Sequence, residues 1–105
     1  MTPAEIDRKL ALAIGYGPED IGEVCGMCSV VRHESRFLRK QLVFSHQDPT
    51  VILPIMERYD CAPYAVRNEW ATYLGAHPSN TNCRHTNPRT AAALAVIKAK
   101  EMGLI

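Results

Sequence analysis

No run of apolar residues in this chain approaches the roughly 18 needed to cross a bilayer, which excludes a membrane-spanning helix. An excess of charge is missing as well. The 12 Lys and Arg stand against 11 Asp and Glu, for a formal net charge of +1, so no global field draws the chain to nucleic acid or a membrane surface. There is no internal repeat and no low-complexity stretch, and 105 residues leave no room for a second core, so one domain over 1–105 is expected. The opening Met1-Thr2-Pro3-Ala4-Glu5 is polar and acidic, unlike a secretory signal, so the expected setting is cytoplasmic. Phosphate-cradling glycines are also lacking: Gly15-Tyr16-Gly17 has neither the third glycine nor the Lys-Ser/Thr tail.

What remains is ordinary globular material, 47% apolar and 22% charged, with strong helix punctuation. Thr2-Pro3-Ala4-Glu5 is a capping box with proline at the first helical position. Ile6, Leu10, Ala13 and Ile14 follow at helical spacing, so a helix is predicted near 3–14, stopped at Gly15. Asp48-Pro49 opens a second helix near 49–60, with Val51, Ile52, Ile55, Met56 and Tyr59 as its stripe, Pro54 interrupting it and Cys61-Ala62-Pro63 ending it. Asn87-Pro88 opens the third, near 88–102. Leu94, Ile97 and Met102, with Ala95 and Ala99, form its expected buried stripe, and Gly103 is its stop. Leu94→Asp is expected to unfold the domain.

Between the helices the signals are weaker. Residues 18–26 read as a loop around Pro18, Gly22 and Gly26. Val30-Val31 and Leu42-Val43-Phe44 bracket polar Glu34-Ser35-Arg36, which favours a β-hairpin, although Val31, Leu38 and Leu42 also fit a helical face. Residues 64–75 fit a helix or a strand. Trp70 falls on the apolar face in both, which makes it an expected core anchor. Residues 76–87 are loop-forming throughout, and so long a loop is a place to look for function.

Four constellations bear on chemistry. Cys25-Gly26-Met27-Cys28 has the bite of a zinc half-site, and Cys83 with His85 could complete it; buried free thiols are the alternative, with Cys61 among them. A redox dithiol does not fit, because the pair follows a glycine-rich loop rather than a strand leading into a helix. A Cys–His nucleophile built from Cys83 with His77 or His85 lacks an orienting third residue, and His33 and His46 read as surface residues. The last is a basic cluster, Arg32, Arg36, Arg39 and Lys40, opposed only by Glu34, which suits phosphates or an acidic protein surface. With Glu5, Asp7, Glu19, Asp20 and Glu23 near the N-terminus, the chain is dipolar, a distribution that also suits self-association.

Three segments carry a family resemblance. The opening Met1–Ala11 with Ile14-Gly15-Tyr16, Phe44-Ser45 ahead of Asp48, and Asn87-Pro88-Arg89-Thr90-Ala91-Ala92-Ala93-Leu94-Ala95 together resemble small phage and prophage proteins of α–β–α sandwich fold, the NinX-like group. The likeness covers about half of the chain. His46 and Gln47 intervene before Asp48, and neither Cys25–Cys28 nor Pro54 has a counterpart in the pattern. The resemblance implies a phage origin and a host-cell setting, no catalytic residues, and a strand at 66–74 that joins the hairpin sheet. The expectation is therefore an α+β domain in the order α-β-β-α-β-α, three helices on one small antiparallel sheet. Its expected role is that of a non-enzymatic accessory protein binding a host or phage protein, such as a component of a host defence system, through Arg32, Arg36, Arg39 and Lys40. Nucleic acid is a second candidate partner. A zinc-stabilised module on Cys25, Cys28, Cys83 and His85 is the alternative, with a small enzyme behind it.

Overall fold

A computed structural model of residues 1–105 gives an α+β fold whose three helices, α1 (Pro3–Ala13), α2 (Pro49–Tyr59) and α3 (Pro88–Glu101), begin and end by the same local chemistry. Each starts with a capping side chain followed by proline. The Thr2 hydroxyl accepts from the Glu5 N–H at 3.2 Å, the Asp48 carboxylate from the Thr50 N–H at 2.9 Å, and the Asn87 amide oxygen from the Arg89 and Thr90 N–H groups. Each ends on a residue with positive φ: Gly15, Asp60 and Gly103. The next N–H reaches back to a carbonyl in the last turn, Tyr16 to Ala11, Cys61 to Met56 and Leu104 to Ala99. The second helix thus stops at Asp60, just ahead of the expected Cys61-Ala62-Pro63.

The strands depart further from expectation. There are six, arranged as two three-stranded antiparallel sheets rather than one. The first sheet holds β1 (Ile21–Val24), β2 (Met27–His33) and β3 (Arg39–Val43) in that order, which confirms the hairpin and adds a strand within the expected 18–26 loop. Cys25 and Gly26 form the β1–β2 turn, with φ of 52° and 77°. Two successive positive φ values give the mirror-image turn whose twist matches paired strands, and glycine takes one of them without strain. The second sheet holds β4 (Tyr64–Val66), β5 (Glu69–Thr72) and β6 (Cys83–His85). Residues 69–72 therefore pair with 64–66 and 83–85, not with the hairpin, and the 76–87 segment is not loop throughout. Thr81 pins the remaining loop: its buried hydroxyl accepts from the Leu74 N–H and donates to the His77 carbonyl.

α1 packs on the first sheet, α3 on the second, and the two helices pack together. α3 is buried almost all round, through Ala91, Ala92, Ala93, Ala95, Val96, Ile97 and Ala99. Short alanine side chains let neighbouring backbones approach closely, whereas Met102, expected in the stripe, is exposed and Leu94 is half-buried. Trp70 is no core anchor: it is 36% exposed on β5, opposite Ala65 and His85, while the next residues, Ala71 and Thr72, are buried.

Candidate functional site

Two polar constellations emerge, and they behave in opposite ways. The first joins α1, the loop ahead of α2 and the start of α3. The Asp7 carboxylate accepts from the backbone N–H of His46 at 2.7 Å and from its ring Nδ1. On the far side of the ring, His46 Nε2 lies 3.0 Å from the Thr90 hydroxyl and 3.0 Å from the Gln47 side-chain amide. Asn87 then donates to the Gln47 amide oxygen, and Arg89 to the Gln47 carbonyl. Acid, imidazole and hydroxyl stand in the order of a hydrolase relay. Yet Asp7, His46 and Thr90 are 6%, 1% and 4% exposed, so a substrate has no open approach to the hydroxyl. The arrangement acts as a clamp, satisfying buried groups from three segments far apart in sequence. No spacing announces it, and the expectation that His46 lies at the surface is overturned. Asp7, counted among the acidic residues near the N-terminus, is buried here rather than displayed.

The second constellation is the β2–β3 hairpin. β1 pairs with β2 only as far as Ile21↔Val30, so beyond Val30 the hairpin continues as a two-stranded arm, flanked at its base by residues 18–20. Arg32 stands opposite Lys40 and His33 opposite Arg39. Directly opposed residues share a face and successive pairs alternate, so each face carries two basic side chains. The arm's bend is set by Ser35, whose hydroxyl accepts from the Leu38 N–H at 3.1 Å, and by the Glu34 N–H donating to the Leu38 carbonyl. At the bend Phe37 is 90% exposed and Leu38 54% exposed, with the Arg36 guanidinium 5.8 Å from the Phe37 ring centre. The structure therefore gathers Arg32, Arg36, Arg39 and Lys40 on one projection, all of them exposed. Only His33 is tied down, by Asp20 at 3.1 Å. Between Glu34 and Asp48 there is no carboxylate. Sequence reasoning passed over Phe37 and weighed Leu38 only on a helical face, although the two form a pair of apolar residues set between arginines at a turn.

At the base of the arm, Val30 and Leu42 face Tyr16 and the first turns of α2 (Val51, Pro54, Ile55) across an apolar cleft of about 460 Å³, with Arg32 and Asp48 among its lining residues.

The cysteines do not form a set. Cys25 is exposed in the β1–β2 turn, Cys28 is buried on β2, Cys61 is buried after α2, and Cys83 is half-buried on β6 in the other sheet. No three His, Cys, Asp or Glu side chains converge on a common point. His85 is partly committed, because its Nδ1 accepts from the Asn87 N–H at 3.0 Å. Burial pushes the Cys61 thiol up to about 11, with Asp60 adding to the effect, and raises Cys28 and Cys83. Asp7 pushes Cys28 further up against the pull of Arg8, and Lys98 works against the rise at Cys83. Such thiols hold their protons at neutral pH and make poor nucleophiles or metal ligands.

Compared with family models, with curated proteins and with solved structures, the chain matches none.

Proposed function

We propose that this chain is a non-enzymatic binding module that engages an anionic macromolecule through the β2–β3 arm. The observation that carries the reading is the arm itself: a two-stranded projection with basic side chains on both faces and an almost wholly exposed phenylalanine at its end. Exposing Phe37 gives folding no apolar burial, and ordering a tip of this kind becomes useful when a partner covers it. The buried acid–imidazole–hydroxyl chain is spent on holding segments together, which favours binding over catalysis. The resemblance of the helix ends and caps to phage sandwich proteins fits an accessory role in the cytoplasm of a host cell. No helix here is long and apolar enough to cross a membrane.

The test is capture of partners from host extract by the wild-type chain and by the triple variant Arg32→Glu, Arg36→Glu, Arg39→Glu. The variant keeps the wild-type melting curve and loses the partner. Equal recovery of the same partner by both proteins rules the arm out.

A further inference from the structure

The chemistry of the arm narrows the partner. Arg32 faces Lys40 and His33 faces Arg39 across the strands. Arg32 and Lys40, two cations set directly opposite one another, repel, so the isolated protein gains nothing from this pairing, and Arg39 adds a cation on the other face. Only His33 has a carboxylate partner, Asp20. A partner that relieves the repulsion has to present negative charge to both faces of the ribbon at once. A flat acidic protein patch meets one face. A duplex groove, walled by phosphates on both sides, meets both.

Dimensions favour one duplex. Three residue pairs, Val31↔Gln41, Arg32↔Lys40 and His33↔Arg39, extend past the last β1 pairing at Val30. At about 3.3 Å per residue this is a ribbon of roughly 10 Å before the bend. The major groove of B-form DNA is about 12 Å wide and about 8.5 Å deep, and it admits a two-stranded ribbon. The ribbon is long enough to bring Phe37 and Leu38 to the groove floor, where base edges and thymine methyl groups accept apolar contact. An A-form RNA duplex offers a deep, narrow major groove that side chains cannot read. β3 is also an edge strand, so its outer backbone N–H groups are free to meet phosphate oxygens.

We infer that the arm is a duplex-DNA contact, inserted ribbon-first into the major groove, with Arg32, Arg36, Arg39 and Lys40 on the phosphate walls and Phe37 against the bases. The inference rests on the reading of the arm as the contact surface and names its partner.

The experiment titrates the full chain into a fluorescently labelled duplex of about 25 base pairs, followed by anisotropy from 50 to 200 mM salt. Four phosphate contacts give a slope of log K on log salt near −3.6, or roughly a hundredfold loss of affinity over that range. Arg36→Glu with Arg39→Glu should remove at least half of that slope. Phe37→Ala should weaken binding at every salt concentration and leave the slope unchanged, which separates a base contact from a charge contact. An RNA duplex of the same sequence carries the same phosphates and should bind at least tenfold more weakly. Equal binding of the two duplexes overturns groove insertion, as does indifference to Phe37→Ala.

A photo-crosslinking residue placed at position 37 distinguishes the two levels of failure. If the full chain binds no duplex DNA but cross-links from position 37 to an acidic protein in host extract, the DNA inference falls and the arm stands as the binding surface. If it yields neither DNA binding nor a cross-link, both fall.

Discussion

At the Asp7–His46–Thr90 clamp no fully buried polar side-chain atom is left without a partner, while on the arm the side chains face water with few partners. Both regions draw on basic and hydroxyl-bearing residues, so composition does not separate them. Position in the fold does. His46 is enclosed between α1 and the start of α3, where an unpaired nitrogen would be costly, and it has a partner on each ring nitrogen. His33 is exposed on the arm and meets a single carboxylate. Substitutions on the enclosed side should therefore be read in stability, and those on the arm in binding.

The largest effect is expected at the centre of the enclosed side. Val96→Asp places a charge where Val96 is wholly buried, and it should abolish the cooperative thermal transition; a folded variant would show that α3 is not the core. Leu94 is half-buried, so Leu94→Asp should cost less than the sequence alone led us to expect. Next comes the clamp. Asp7→Ala leaves the His46 N–H and ring without their acceptor and should cost about 3 kcal/mol or more in a denaturant melt, whereas a cost near zero would mean that the contact carries no weight.

At the end of the first sheet opposite the arm's bend lies the β1–β2 turn. Gly26→Ala, at φ 77°, should cost about 1 kcal/mol, and Cys25→Asn should be neutral or stabilising because asparagine tolerates the left-handed region. If Cys25 instead held a structural metal, Cys25→Asn would lower the melting point sharply, and chelator would do the same to the wild type.

Alkaline pH should discriminate more finely. In the unfolded chain a thiol ionises near its ordinary value of 9.0, while native Cys61 holds its proton to about 11. The unfolded state therefore binds fewer protons in that window, and stability, complete below pH 9, falls as pH rises from 9 through 11. Cys61→Ala should flatten that decline, and an unchanged pH profile would contradict the burial assigned to the thiol. The smallest effect on stability belongs to the arm. Reversing Arg32, Arg36 and Arg39 should move the stability by no more than about 0.5 kcal/mol while eliminating partner binding.

How far the sequence could be read depended on the range of the interaction being read. Helix ends are settled within four or five residues, and Thr2-Pro3, Asp48-Pro49 and Asn87-Pro88 were legible for that reason. The Cys25-Gly26 turn is equally local, but the C-x-x-C spacing drew attention to metal chemistry and away from the glycine that the turn requires. Strands of three or four residues, such as β4 and β6, are too short for alternation to register. Trp70 shows a further limit: it shares a strand face with the buried Thr72 two residues on, and alternation does not say where along a strand the cover of the core ends.

The sequence by itself determined where the helices start and stop, the β2–β3 hairpin and the concentration of cations along it, since each of these rests on neighbours in the chain. Only the tertiary structure decided that the strands divide into two sheets, that His46 closes a clamp with residues 39 positions before it and 44 after it, and that Phe37 is left in the open. Those outcomes depend on which surfaces meet across the fold, and burial is a property of such meetings rather than of any local run of residues.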